Sequence, residues 1–482
     1  MLRLRVSYYI SFYQVITVNT NLPYSASASA NNSRFEENRF HWHAQSNLCH
    51  PDGTHHQNYL VSPTIVSGVH FINDVNCVST LRAIQHVIGT AVEFCVHHDT
   101  HEDDKTIETW HHTQTTHPTQ EKPESRDNQS EAYLQCMSSG SNGRPKRIRR
   151  THASWINSFQ ITAQTAQIST NDSYAIIGKL SHSLALYAAL EAVWIGADVH
   201  ALADIRPDKQ FAALASLKSS VLYATPTQLR LMCNSATKTM HTNSSVKHIF
   251  CGGGKLDHHT TTLLTNHFPH ACVKEFFGAS ETSFITISDQ HTPIGSVGKP
   301  YPGVQLKIES IDSDSSISNE NLNDDKPTQS IGEIWVKSAY LFEAYATGDE
   351  HDTRWHNGYL SIGEMGYVDS DANLFLTGRR SRMINIADNI VFPEQIENRL
   401  NQHESVRCCV VIPKPDVKRG VVLVAIVEAQ EDEQLRAQLL RLNRAEFGTL
   451  KAPRSIIFVE KLPMLASGKP DIKTIERQFE FT

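Results

Sequence analysis

From Thr151 onward the apolar positions alternate between two periods. Trp155, Ile156 and Phe159 recur at helical spacing, as do Leu186, Leu190 and Trp194, and each set predicts a helix with one buried face. Short apolar runs at 220–224, 246–251 and 272–277 predict strands between further helical stretches. Strands alternating with helices predict an α/β fold, a mainly parallel sheet covered by helices. Beyond Gly295 strand signals dominate, at 304–308 and 331–336, split by an Asp/Ser/Asn-rich stretch at 310–330 that predicts a loop. After Arg379 comes a compact α+β tail, with strands at 406–412, 421–427 and 456–459 and a helix over about 433–444. Residues 97–130 are rich in His, Thr, Asp, Glu and Pro, show little apolar periodicity, and predict an exposed loop or insertion. Their paired histidines match no zinc spacing and no cysteine joins them, so solvated histidines are expected there.

Composition narrows the class. With 482 residues, 40% of them hydrophobic and 20% charged, the chain can build more than one core, and fibrous, collagenous and disordered classes are excluded. A net charge of −7 gives no reason to expect nucleic acid, although Lys146, Arg147, Arg149 and Arg150 form a basic knot that is expected to serve a nucleotide. No apolar run approaches the ~18 residues of a membrane span. Nine cysteines without C-x-x-C pairs favour a reducing compartment. Arg3 and Arg5 before a Tyr/Ile/Val stretch, and then Ser25 to Ala30, are loosely like a signal peptide. Ser7, Ser11, Gln14 and Thr17 interrupt that stretch, and a cytoplasmic location is expected.

The chemistry begins at Ser138-Ser139-Gly140-Ser141-Asn142-Gly143-Arg144-Pro145-Lys146. Glycines let the backbone turn its N–H groups toward an oxyanion, hydroxyls add donors, and Lys146 with Arg144 adds positive charge, so the run suits a triphosphate. It is not a Walker loop, because Pro145 separates Gly143 from Lys146 and no Ser or Thr follows the lysine. A hydrolase elbow of the G-x-S-x-G kind and a G-x-G-x-x-G dinucleotide turn after a strand are both missing from the sequence.

Downstream stand Phe276-Phe277-Gly278-Ala279-Ser280-Glu281-Thr282, Gly332-Glu333-Ile334-Trp335-Val336, Gly358-Tyr359 with Ile362-Gly363-Glu364, Thr377-Gly378-Arg379, Phe392-Pro393-Glu394-Gln395-Ile396-Glu397, and Leu462-Pro463 leading to Ser467-Gly468-Lys469. Together, and in this order, these stretches resemble the adenylate-forming superfamily of acyl-CoA synthetases, peptide-synthetase adenylation domains and luciferases. That family's phosphate signature is usually Ser/Thr-Ser-Gly-Ser/Thr-Thr-Gly-x-Pro-Lys, and Asn142 departs from it. The resemblance covers about residues 134–482.

The resemblance implies a large domain of helix-covered sheets with a small barrel or distorted sheet at about 295–378, and a mobile C-terminal lid at 379–482. Residues 134–378 would form the nucleotide- and acyl-binding core, and 1–133 a poorly matched N-terminal part of the large domain. It also implies ATP-dependent activation of a small carboxylic acid to an acyl-adenylate, then transfer to the thiol of CoA or of an acyl carrier protein's phosphopantetheine. Ser138 to Gly143 and Lys146 would hold phosphates, Glu281 a Mg²⁺, and Gly253, Gly254 and Phe277 the adenine, with Gly278 and Ser280 also among the ATP-binding residues. Glu364 falls where relatives have a ribose-binding aspartate, and Arg379 would contact ribose and phosphate. Lys469 would bridge the substrate carboxylate and the α-phosphate, with Glu281 the second catalytic residue. An acyl pocket is implied near His182, Leu184, Cys251 and Ala279, and a hinge at Arg380-Ser381. Glu364, Ser381 and Asp388 depart from the family's usual residues, which leaves a non-catalytic nucleotide-binding protein as the alternative.

Overall fold

A computed structural model describes residues 3–9, 13–19, 64–66, 69–88, 93–97, 132–138, 146–237, 242–310, 331–347, 352–387, 389–465 and 469–479. The expected loops at 97–130 and 310–330 fall almost wholly outside these residues.

Two sheets frame the main core. The first has seven strands, in the order Lys299–Pro300, Ser283–Ile287, Cys272–Ala279, His248–Cys251, Val221–Ala224, Ser173–Ile176, Asp198–Ala201. The five from Cys272–Ala279 onward run parallel, and the other two are antiparallel. The central parallel strands Ser173–Ile176 and Val221–Ala224 are buried on both faces, which is why they read as continuous apolar runs. Alternate residues serve opposite cores: Tyr174, Ile176, Tyr223 and Phe250 face one, Ala175, Ile177, Ala224 and Cys251 the other.

The first of these cores is filled by helices Cys77–Ile88, His152–Ala166 and Ser183–Ile195, and by inward residues of a second sheet. That sheet has six strands, ordered Ala344–Thr347, Lys146–Thr151, Tyr133–Ser138, Glu93–His97, Val69–Asn73, Thr64–Val66. Part of the chain before residue 134 is thereby built into the same body. The other core is covered by helices Pro207–Ser216, Pro226–Thr237 and His258–His267. A buried polar knot lies inside the first core. Glu191, fully buried on helix Ser183–Ile195, accepts hydrogen bonds from Tyr174 (3.1 Å) and Tyr223 (2.6 Å). Burial pushes its carboxyl up to about 8, so it is mostly protonated at neutral pH.

The strand-rich region takes the form of a distorted six-stranded sheet centred on Gly332–Lys337, which pairs antiparallel with Gln305–Ser310, Tyr359–Ser361 and Glu364–Val368. Its inner residues Ile334 and Val336 meet Ile285, Val297 and Leu374. The C-terminal segment packs its own cores on both faces of a three-stranded sheet, Cys408–Asp416, Gly420–Glu428 and Ser455–Val459. Its long helical stretch, Glu433–Lys451, starts where expected and passes 444, and Gly448 (φ 73°) leaves the helical conformation and kinks it before Lys451. Among the described residues no helix is long and apolar enough to cross a membrane.

Candidate active site

The two ends of the glycine-rich run are held by paired strands. Strands Tyr133–Ser138 and Lys146–Thr151 pair antiparallel up to Ser138 opposite Lys146, so these two residues stand side by side at the ends of the run. Ser139, Gly140, Ser141, Asn142 and Gly143 themselves lie outside the described residues. Lys146 is buried, its ammonium 5.7 Å from the centre of the Tyr345 ring. Tyr345 arrives on strand Ala344–Thr347, which pairs with Lys146–Thr151. Its hydroxyl donates to Glu281 Oε1 at 2.8 Å and lies 2.9 Å from Thr353 Oγ1. Lys146, Tyr345 and Glu281 therefore form one connected group at the end of the run. Nothing in the local sequence marks Tyr345, since its partners lie far away along the chain.

Glu281 sits on the tight turn between Cys272–Ala279 and Ser283–Ile287, at the carboxyl end of a parallel strand, where open α/β sheets bind ligands. The turn is held from several sides. Thr282 Oγ1 accepts from Ala279 N–H (3.0 Å), and the Glu281 carbonyl accepts from Phe342 N–H (2.7 Å). Gly278 has no substitute, because a Cβ there would lie 1.9 Å from the Ser283 carbonyl oxygen. The fully buried Arg150 donates to the carbonyls of Ser280 (3.1 Å) and Tyr340 (2.6 Å), and desolvation pushes its pKa down to about 10.

The basic knot is thus a correction to the sequence reading. Residues along a strand point alternately to opposite faces, so these cations part company. Arg149 bonds Glu93 (3.0 Å) and Glu343 (2.8 Å), Arg147 bonds Thr347 (3.2 Å), and Arg150 supports the Glu281 turn from inside. Only Lys146 stands at the end of the glycine-rich run beside Glu281's partner.

Gly253 and Gly254 follow strand His248–Cys251 and are exposed, Gly253 with φ 80°. Gly252 before them lies flush on the Phe276 ring, where a Cβ would come within 2.2 Å. Phe277 is half-buried against the core beneath the distorted sheet. Ser280 Oγ lies 2.7 Å from Ser183 Oγ, and Met137 forms a bridge with His182, so helix Ser183–Ile195 starts against both the Glu281 turn and strand Tyr133–Ser138. His182 is exposed at that helix's N-terminus, with Leu184 and Ala279 half-buried. Cys251 does not join them. Its side chain is fully buried in the core on the opposite face of the sheet, among Ala175, Leu222 and Leu264.

On the adjoining sheet Glu364 and Arg379 stand directly opposite each other on paired strands, and Arg379 Nε lies 3.1 Å from Glu364 Oε1. Lys469, on the C-terminal segment, comes within electrostatic range of this pair. Met464 bridges Pro470 and Leu465 N–H donates to the Lys469 carbonyl (2.8 Å), which fixes the backbone at Lys469. Ser467 and Gly468 before it lie outside the described residues. Although Lys469 as a residue keeps solvent access, the protein around its ammonium lowers its pKa, the Arg379 charge adds to that, and Glu364 opposes it. Burial raises the Glu364 carboxyl, while Arg379 and Lys469 pull it back down.

Between body and tail, Arg380 N–H donates to the Gly363 carbonyl (2.8 Å) and its guanidinium to Glu333 (3.0 Å). Two residues later Arg382 bonds Glu397 (2.7 Å) and Glu394 (3.2 Å) on helix Pro393–Leu400. Ser381 lies exposed between these two anchorages, and Asp388 lies outside the described residues.

The sequence pattern of AMP-binding enzymes matches residues 65–346, and that of the AMP-binding enzyme C-terminal domain matches 395–469. The chain belongs to the AMP-binding enzyme family. Among curated relatives, this AMP-binding enzyme is 30% identical over 340 residues to an uncharacterized acyl-CoA ligase, YhfT, of Bacillus subtilis. That match covers 70% of this chain and 66% of the relative. It is 27% identical over 342 residues to a putative long chain fatty acid-CoA ligase, VraA, of Staphylococcus haemolyticus, covering 70% and 69%. The chain thus spans about two thirds of the length of these relatives. The fold matches o-succinylbenzoate CoA synthetase from Bacillus subtilis, solved with its acyl-adenylate intermediate. The TM-score is 0.66, with 21% identity over 85% of this chain and 87% of that one. ATP-bound MatB from Rhodopseudomonas palustris matches with TM-score 0.62 and 20% identity, covering 86% and 79%. The AMP-binding enzyme therefore has the adenylate-forming fold.

Proposed function

We propose that this chain is an ATP-dependent, AMP-forming acid–thiol ligase. A carboxylate oxygen attacks the α-phosphorus of ATP, the bond to pyrophosphate breaks, and an acyl-adenylate remains. A thiolate sulfur then attacks the acyl carbon, and AMP leaves with the oxygen that had come from the acid. CoA is the proposed acceptor, with a carrier-protein phosphopantetheine as the finer alternative. ATP and CoA as co-substrates favour the cytoplasm.

The observation that carries this reading is that Lys469, from the tail, feels the charges of the Glu364–Arg379 pair, while Glu281, Tyr345 and Lys146 gather at the phosphate side. An ammonium there can oppose the charge that builds on the α-phosphoryl oxygens and the incoming carboxylate. Glu364 would accept from the ribose hydroxyls and Arg379 would reach ribose and phosphate. The glycine-rich run and Lys146 would hold the outer phosphates, Phe277 would face the adenine, and exposed Gly253 and Gly254 would let the base approach backbone.

Among the described residues no group of three or more His, Cys, Asp or Glu could hold a resident metal. A nucleotide-borne Mg²⁺ asks for less, since it keeps phosphate oxygens and waters and takes one or two carboxylates. Glu281, oriented by Tyr345 beside Lys146, fits that role, and the ion would supply neutralisation of phosphate charge. The Arg380–Arg382 turn, tied to the body at one end and to the tail at the other, is the proposed joint.

Acid-dependent exchange of labelled pyrophosphate into ATP, run across acids of graded length and aromaticity, tests the reading. Exchange that requires both the acid and Mg²⁺ is expected. Tight ATP binding with no exchange for any acid would leave a non-catalytic nucleotide-binding protein.

A further inference from the structure

The acid's tail has limited directions open to it. The outer phosphates claim the Lys146 side of the site, and the nucleoside claims the Glu364–Arg379 side. Among the described residues, what remains runs past the Ser183–Ser280 contact and along the inner face of helix Ser183–Ile195. One turn beyond Ser183 on that face stands Tyr187, and one further turn brings Glu191.

Aromatic rings fill this direction. The Tyr187 ring lies edge-on to Phe284 at 5.3 Å and 5.7 Å from Tyr223, and Tyr223 stacks on Phe250 at 4.6 Å. Phe284 meets Phe276 at 4.6 Å and Tyr301 at 4.9 Å, and Phe276 is pressed onto Gly252. Tyr187, Tyr223, Phe250 and Phe284 are all buried, and centroid distances of this size leave no space between them for an alkyl chain or a flat ring.

Polar bonds hold the rings where they are. The Tyr187 hydroxyl lies 2.9 Å from Ser158 Oγ, the Tyr223 hydroxyl donates to Glu191, and the Tyr301 hydroxyl donates to the Ser158 carbonyl at 3.0 Å. Swinging a ring aside to admit a tail would strand these buried groups without partners. Above the rings Leu184 and Ala279 are half-buried beside the Ser183–Ser280 contact, so a short substituent there need not enter the aromatic cluster.

We propose that the acid taken by this site is a short aliphatic monocarboxylate, of about two to four carbons, because Tyr187, Tyr223, Phe250 and Phe284 close the path a longer tail would need. The inference rests on the adenylate-forming reading above. It sets this chain apart from what the name of the VraA relative would suggest.

The test uses unreactive acyl-sulfamoyl-adenosine mimics of the acyl-adenylate, carrying acetyl, butanoyl, octanoyl or dodecanoyl groups, with affinity measured by calorimetry on the full chain. Butanoyl should bind at least about tenfold tighter than dodecanoyl. In Phe250→Ala, with its folding checked by circular dichroism, octanoyl should recover most of that loss. Dodecanoyl binding as tightly as butanoyl in the unaltered chain overturns the proposal, whatever the variant does. If the length profile holds but no acid supports pyrophosphate exchange, the reaction assignment fails and the size limit stands. If exchange runs as fast with dodecanoate as with butyrate, the reverse is true. Failure of every mimic to bind overturns both.

Discussion

Lys469→Ala should lower acid-dependent pyrophosphate exchange by about a hundred- to a thousandfold, the usual cost of removing one group aimed at developing charge. The cause is electrostatic: the ammonium feels the charges of Glu364 and Arg379, and alanine would leave the carboxylate and α-phosphate to repel each other unopposed. The second step makes no such demand, since a thiol attacking an acyl carbon expels AMP without bringing two anions together. A preformed acyl-adenylate should therefore still be consumed by thiol at an unaltered rate. Equal loss of both steps would contradict the division of labour given to Lys469. Because the residue keeps solvent access, the substitution should leave the melting temperature nearly unchanged.

Glu281→Gln should be nearly as damaging, by a different route. The amide keeps the side chain's shape and can still accept from the Tyr345 hydroxyl, so the turn and its support by Arg150 persist. It loses the negative charge that a phosphate-borne Mg²⁺ would meet. Electrostatic help from a bound ion amounts to several kcal/mol, which corresponds to at least about a hundredfold in exchange rate. Raising Mg²⁺ should restore part of it, and ATP binding without Mg²⁺ should barely change. A variant with the unaltered chain's Mg²⁺ dependence would remove Glu281 from the metal.

How far the sequence could be read depended on whether the deciding interaction was local. The alternating strands and helices after Thr151 follow from apolar spacing alone, and they appear as expected in the seven-stranded sheet. A phosphate-holding run between Ser138 and Lys146 could be expected because glycine, hydroxyl and cation act through short-range backbone geometry, and the paired strands place those two ends opposite each other. The fate of Arg147, Arg149 and Arg150 could not be read that way. Strand register sends each to a different partner, and Glu343 and the Tyr340 carbonyl lie far along the chain. Cys251 was misplaced for the same reason, a single step of alternation putting it in the opposite core from Leu184's neighbours. Tyr345 escaped notice because its value comes only from the pairing of Ala344–Thr347 with Lys146–Thr151. The closed acyl side was equally hidden, since Tyr187, Tyr223, Phe250 and Phe284 are unremarkable until the fold brings their rings together.

The central claim is that a carboxylate oxygen of the acid becomes bonded to the α-phosphorus of ATP. Supplying the acid with both carboxylate oxygens isotopically heavy, with ATP, Mg²⁺ and CoA, and weighing the products by mass spectrometry tests it most directly. The account predicts AMP carrying one heavy oxygen, unlabelled pyrophosphate and a thioester carrying the other. Unlabelled AMP, or label released in inorganic phosphate together with ADP, would contradict it.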